Sequence, residues 1–250
     1  MHRAELLCEL LRVRSKTNVP RGTYWSIFRR PSGIEDMIRF LRFIKSDDKI
    51  ILIDVGANIG YWAETFLSFF PRTRVFAFEP TIGPFKQLKE RFAQNANVRV
   101  FNIGLLDRHG SVEINIAMES TYSSFHHYKQ AVEFVCKEVV MVDMLDNLSV
   151  ELESPDYVRV MKIDVQGSEI EALRGMDKTL QNIHIILVET SFLPEYARIP
   201  PSFPRLSELL SHHGFYPVIF VDAATARGPY PSQRDVFFVR EQFLQNAQGW

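Results

Sequence analysis

The strongest constraint on the fold lies in residues 49–60. Lys49 to Val55 (KIILIDV) is a short apolar run, the composition of a strand buried on both faces. It passes directly into Gly56-Ala57-Asn58-Ile59-Gly60 and then into a helical pattern over Ile59 to Phe70, with Pro71 just beyond. A buried strand, a glycine turn and a helix in succession form the opening unit of a parallel α/β sheet. Gly56 and Gly60 permit a tight turn and a close backbone approach to a ligand. The helix end offers amides and a partial positive charge to an anionic group. The spacing is not G-x-G-x-x-G, because Asn58 stands where the second glycine would fall, and no Gly-Lys-Ser/Thr follows as in a phosphate loop. Asp54 adds a carboxylate, which suits a cationic ligand group better than a pyrophosphate.

The rest of the chain repeats the alternation. Helical periods cover Ile34 to Ile44, Ile82 to Ala93 behind Pro80-Thr81, and Ser168 to Leu180. Strand-like runs cover Thr73 to Phe78, Val98 to Ile103, Ser111 to Ile116 (an added hairpin strand), Glu138 to Val142, Val158 to Val165 and Ile183 to Glu189. After a helix over Phe203 to His213, closed by Gly214, two strands follow at Phe215 to Val221 and Asp235 to Arg240. No helix separates these two, so they are expected to run antiparallel. Residues 1–32 differ in kind. An amphipathic helical pattern from His2 to Val13 leads into a polar and aromatic stretch that includes Tyr24, Trp25 and Phe28. The expected organisation is therefore an N-terminal helical arm or cap over 1–32 and one α/β domain over 33–250.

Composition narrows the function classes. With 250 residues, 46% apolar and 24% charged, the chain is long enough to bury a core without disulfides. A net charge of -1 gives no nucleic-acid footprint. The two cysteines, Cys8 and Cys136, show no paired or metal-like spacing, which fits a reducing, cytoplasmic setting. The N-terminal apolar residues are interrupted by charges, unlike a secretory signal, and no apolar run is long enough to span a bilayer.

Three further places carry candidate chemistry. Glu79 ends the second strand about 20 residues beyond the glycines, where an acidic side chain accepts ribose hydroxyls. Gly104-Leu105-Leu106-Asp107 follows the third strand, where Asp107 could accept an exocyclic amine and Leu105 or Leu106 could pack on an adenine; a plain turn into a hairpin explains the same residues. Lys162 and Asp164 sit two apart inside an apolar strand, hence on one side of it. An unpaired buried carboxylate is costly, so Asp164 at the strand's carboxyl end implies a role in the ligand crevice, although a mutually satisfied Lys162–Asp164 pair would also account for it. Glu189 ends the next strand and is expected beside the same crevice, while Glu169 suits the first turn of a helix.

DVGANIG, then FEP, then KIDVQG with the following SEIEALRG together resemble the FkbM-type methyltransferases over about residues 50–190, and more weakly to residue 240. The resemblance implies a Rossmann-like class I methyltransferase fold, a mostly parallel seven-stranded sheet with an antiparallel C-terminal hairpin strand. It implies S-adenosylmethionine as cofactor and a hydroxyl oxygen of a small natural product or glycan as acceptor. It also implies that Asp54, Gly56, Asn58, Gly60 and Glu79 contact the cofactor and that Asp164 lies near the methyl group. Gln166 stands where Glu is frequent in the family, which removes an acidic role at that position.

Transfer from a sulfonium to an alcohol asks the protein for positioning and for proton removal. Asp164 is the first candidate base, and cofactor orientation explains it equally. His126 and His127, in a Ser/Tyr/His-rich insert over Ser120 to Lys129, compete with it. His184 reads as a satisfied core residue, and His212-His213 as a response to a helix dipole. No His, Cys and carboxylate set shows metal-ligand spacing, so no metal is expected. Two rival functions remain open: a non-catalytic interaction module on the same fold, and a nicotinamide oxidoreductase, against which the missing G-x-G-x-x-G counts. The arm residues Tyr24, Trp25 and Phe28 admit two uses, a substrate lid or a homodimer contact.

Overall fold

The computed structural model describes residues 31–129, 132–148, 156–196, 199–221 and 233–248. The proposed arm over 1–32, with its lid or dimer role, falls almost wholly outside them. Seven strands form one sheet, in the spatial order β3-β2-β1-β7-β8-β10-β9. These are β1 (Ile50–Val55), β2 (Thr73–Phe78), β3 (Val98–Phe101), β7 (Val158–Ile163), β8 (Ile185–Ser191), β9 (Phe215–Val221) and β10 (Gln233–Arg240). Every neighbour pair from β3 through β8 is parallel. β10 inserts between β8 and β9 and runs antiparallel to both. The class I methyltransferase architecture is therefore present, with its antiparallel C-terminal hairpin.

The alternation of side chains across β1 explains the layers. Ile50 and Leu52 join one core cluster, while Ile51, Ile53 and Val55 join another on the opposite face. Helices α1 (Pro31–Phe40) and α2 (Tyr61–Phe69) cover the first face. On that side Phe40 packs edge-on against Phe66 at 5.2 Å and Phe237 at 4.8 Å between ring centroids. A fully buried side chain of this size contributes about 1.5–3 kcal/mol, so both faces are strongly committed. Helix α3 (Ile82–Arg91) joins β2 to β3. No helix among the described residues is long and apolar enough to cross a membrane.

Three features depart from the sequence expectations. The region after β3 builds a second, three-stranded sheet from β4 (Gly104–Leu105), β5 (Gly110–Ala117) and β6 (Phe134–Asp143), in the order β4-β6-β5. The helix expected over 168–180 breaks into α4 (Glu169–Arg174) and α5 (Asp177–Leu180). Gly175 lies where an added Cβ would come within 2.0 Å of the Leu106 carbonyl oxygen, and Asp146 accepts the backbone N–H groups of Lys178 and Thr179, each at 2.8 Å. Contacts from another segment thus override a continuous helical period. Helix α6 (Ser202–His212) follows β8 as expected, whereas a terminal helix α7 (Glu241–Gln248) had no counterpart in the strand-based reading. Phe243 and Leu244 on α7 pack against the first core cluster.

Candidate active site

The strand order reverses between β1 and β7, the position where open α/β sheets bind ligands. A cavity of about 540 Å³ lies there, within the roughly 300–1,000 Å³ typical of small-molecule sites. Its lining follows the sheet. Phe78, Ile103, Leu105 and Phe125 make an apolar end near β2, β3 and β4; Glu79 stands at the end of β2; Gly56, Ala57 and Asn58 follow β1; and Lys162, Asp164 and Gln166 follow β7.

The glycine turn is largely self-satisfied. The Phe78 carbonyl accepts both Gly56 N–H at 3.0 Å and Ala57 N–H at 2.9 Å, and the Ala57 carbonyl accepts Gly60 N–H at 2.9 Å. Asn58 adopts φ 48, its N–H donates to Glu79 Oε2 at 2.9 Å, and its side chain Oδ1 accepts Ile59 N–H at 2.8 Å. The amides of 56–60 therefore donate inside the protein, and the loop offers a ligand no row of free N–H groups. Gly56 is required for a reason the sequence did not show. Its φ is 78, and a Cβ there would lie 1.9 Å from the Asp164 carbonyl oxygen. The close backbone approach is that of the β7 loop.

Glu79 is 6% exposed. Its Oε1 accepts Thr81 N–H at 2.9 Å and the Thr81 hydroxyl at 2.5 Å. With Asn58, protein donors use three of the roughly four acceptor positions of an ionised carboxylate. Burial pushes its pKa up, and the Thr81 and Asn58 hydrogen bonds oppose that rise.

Four expected site residues lie elsewhere. Asp54 does not line the cavity; its side chain is fully buried and its Oδ1 sits 3.8 Å from Lys162 Nζ, because the β1–β7 register sets the two residues side by side. Gly60 also lies off the cavity, and a Cβ there would come within 2.7 Å of Leu88 and of Phe92, so the absence of a side chain lets the turn pack against them. Leu106 is 2% exposed in a small cluster with Ile114, Val140 and Val142, and Asp107 faces Arg108 at 3.7 Å. Neither lines the cavity. Pairing of β4 with β6 turns the chain away from the crevice after Leu105, so Ile103, Gly104 and Leu105 take the wall position instead.

At the β7 end, Asp164 does line the cavity. Lys162 Nζ donates to its Oδ2 at 3.2 Å, and Gln166 Nε2 donates to its Oδ1 at 2.7 Å. Burial alone would lower the Lys162 pKa, but Asp164 and Asp54 together raise it, so the ammonium stays charged. Gln166, with φ 49, is the hub that sequence reasoning missed. Its amide also donates to Glu189 Oε2 at 2.9 Å, while its Oε1 accepts the Tyr128 hydroxyl at 2.6 Å. An amide can donate to two carboxylates and accept from a phenol at once; a carboxylate cannot. Behind this hub, Glu189 and Asp235 stand opposite each other on β8 and β10. Burial, followed by repulsion from Asp164, raises both, Asp235 to about 6.

Residues 118–129 form a strap over the crevice. The Ser120 hydroxyl donates to Asn58 Oδ1 at 3.2 Å, the Ser124 hydroxyl to the Gln166 carbonyl at 2.6 Å, and Tyr128 ties to Gln166 as above. The one signal for it in the sequence was the Ser/Tyr/His richness of the insert. His126 Nε2 lies 3.1 Å from the Ser168 hydroxyl, and His127 packs against Phe134 at 5.8 Å; neither lines the cavity. His184 is half-buried rather than in the core; its Nδ1 accepts Arg159 N–H at 2.9 Å, and desolvation lowers its pKa to about 4. Among the described residues no group of three or more His, Cys, Asp and Glu is placed to hold a metal ion.

A family model described as the methyltransferase FkbM domain matches residues 54–217. The hexuronic acid methyltransferase AglP of Haloferax volcanii is 30% identical over 169 residues, covering 66% of this chain and 65% of the archaeal protein. The 2-O-methyltransferase NoeI of Sinorhizobium fredii is 26% identical over 180 residues, covering 65% of this chain and 72% of its own. Aeropyrum pernix fibrillarin, solved with natively bound S-adenosyl-L-methionine, aligns at 10% identity and a TM-score of 0.47 over 80% of this chain and 74% of its own.

Proposed function

The chain belongs to the FkbM methyltransferase family, and from that premise we propose that it moves a methyl group from S-adenosylmethionine to a hydroxyl oxygen of a glycan or small natural product. One observation carries this reading. The strand order β3-β2-β1-β7 lines up, within one cavity, an apolar end, a buried acceptor at Glu79 and a charged end at Lys162 and Asp164. Adenine, ribose and amino acid require those three chemistries in that order. The residues present therefore fit the cofactor. The names of the two relatives, one a hexuronic acid methyltransferase and the other a 2-O-methyltransferase, support an oxygen acceptor on a sugar-like molecule.

In this reading Phe78, Ile103, Leu105 and Phe125 hold the adenine. Glu79 keeps one acceptor position for a ribose hydroxyl and uses the others to fix the glycine turn. The bound cofactor supplies an activated methyl on a sulfonium. Asp164 removes the hydroxyl proton; a positioned base of this kind contributes about 10²–10⁴-fold. Lys162 and Gln166 orient that carboxylate from two sides, and the strap excludes water from the crevice. The histidines of the insert take no part as base, since both lie off the cavity.

The test is a thermal shift of the protein with S-adenosylmethionine, S-adenosylhomocysteine and NAD, followed by methyl transfer to a panel of glycosides analysed by mass spectrometry. Stabilisation by the sulfur nucleotides but not by NAD, and a methyl ether in the product, are expected. A methylated nitrogen or carbon, or a shift with NAD alone, would refute the proposal.

A further inference from the structure

The wall of the cavity as a whole holds more carboxylate than cation. Lys162 is the one Lys or Arg among the described residues that line the cavity, against Glu79, Glu119 and Asp164. Its ammonium already answers two carboxylates, Asp164 at 3.2 Å and Asp54 at 3.8 Å. Gln166 links Asp164 onward to Glu189. Burial raises Glu189 well above the usual carboxylate range and raises Asp54 and Asp235 alike to about 6, so near neutral pH the surplus survives with Glu189 protonated, because Lys162 alone cannot neutralise Asp54, Asp164 and Asp235.

Charge in a partly desolvated pocket acts far more strongly than in water. The methyl donor carries a sulfonium and a net charge of +1, and its thioether product carries none. Resting on the reading of this cavity as the S-adenosylmethionine site, we infer that Asp164 makes the site selective for a cationic centre, so that the donor is held more tightly than S-adenosylhomocysteine. The charge balance of the reaction gives the selectivity a use. When the sulfonium becomes a thioether, the hydroxyl proton passes to Asp164, and cation and anion disappear together. Once Asp164 loses that proton to solvent, it again faces a neutral product and again favours exchange for a fresh donor. Product inhibition is correspondingly weak.

The experiment is calorimetric titration of the full chain with S-adenosylmethionine, S-adenosylhomocysteine and sinefungin, whose amine places a positive charge near the position of the sulfonium. The two cationic ligands are expected to bind at least about fivefold more tightly than S-adenosylhomocysteine. In Asp164→Asn that preference shrinks to within about twofold. The comparison in the unmodified protein depends on no variant's folding. Equal or tighter binding of S-adenosylhomocysteine there, or a preference that survives Asp164→Asn, overturns the inference. Failure of all three ligands to bind overturns the cofactor reading beneath it as well.

Discussion

At the β1–β2 end of the cavity the polar groups are answered by near neighbours, whereas the β7–β8 end crowds carboxylates around one ammonium. In the first region Asn58, Glu79 and Thr81 bond to one another within a few residues of two strand ends. In the second, Asp164, Gln166, Glu189 and Tyr128 meet from three separate segments, with Asp235 arriving on a fourth. The contrast separates two tasks. A preformed cradle binds a constant ligand by shape, and its geometry costs little because the backbone supplies it. A charged cluster under residual repulsion is held only by the surrounding fold, and such perturbed groups collect where chemistry is done.

If that division is right, substitutions in the two regions fail differently. The largest effect is expected from Asp164→Asn. Turnover in a single-turnover assay should fall about 10²–10⁴-fold, with the fold intact, since the amide keeps one acceptor oxygen for Lys162 or Gln166 and Lys162 keeps Asp54 at 3.8 Å. Retention of the full rate would move the base elsewhere. Gly56→Ala should act through stability instead. The new Cβ meets a backbone oxygen at 1.9 Å with φ at 78, neither of which a side-chain shift relieves, and a loss of more than about 3 kcal/mol is expected in urea unfolding. A mild loss would mean that the β7 loop yields, which breaks the picture of a rigid cradle.

Glu79→Ala should cost cofactor affinity about 1.5–3 kcal/mol by calorimetry, part of it from disordering Asn58 and Thr81. Glu79→Gln sharpens the test, because it keeps one acceptor oxygen but places an amide NH2, itself a donor, against protein donors. The smallest effect concerns pH. Asp235 is raised from 3.8 to about 6 in the folded chain, chiefly by burial and then by Asp164. A carboxylate raised on folding holds its proton better when folded, so its contribution is present below pH 4 and lost as pH climbs through about 6. Asp235→Asn removes that loss, and the melting temperature of the variant relative to the parent should rise between pH 4 and pH 7. Parallel curves would show that Asp235 is not under the strain assigned to it.

The legible part of the site matches the local part. Gly56 and Glu79 line the cavity as their distance from a strand end leads one to expect, and Asn58 lines it as the family resemblance implies. Asp164 could be placed because a charge inside an apolar strand is conspicuous. Asp54 had the same signal but a different outcome, since the register of β1 against β7 spends its charge on Lys162. Leu106 and Asp107 were misplaced because the short strand β4 pairs with the far end of β6, Leu105 lying opposite Asp143.

The sequence by itself determined the α/β class, the strand and helix alternation, the antiparallel close and the glycine turn. These depend on side-chain period and backbone conformation, which are set within a few residues. Only the tertiary structure decided the strap, the role of Gln166, the split of the helix at Gly175 and the surplus of negative charge beside Lys162. Each of those joins residues from distant parts of the chain, and their energies depend on burial and distance, which exist only once the sheet has formed.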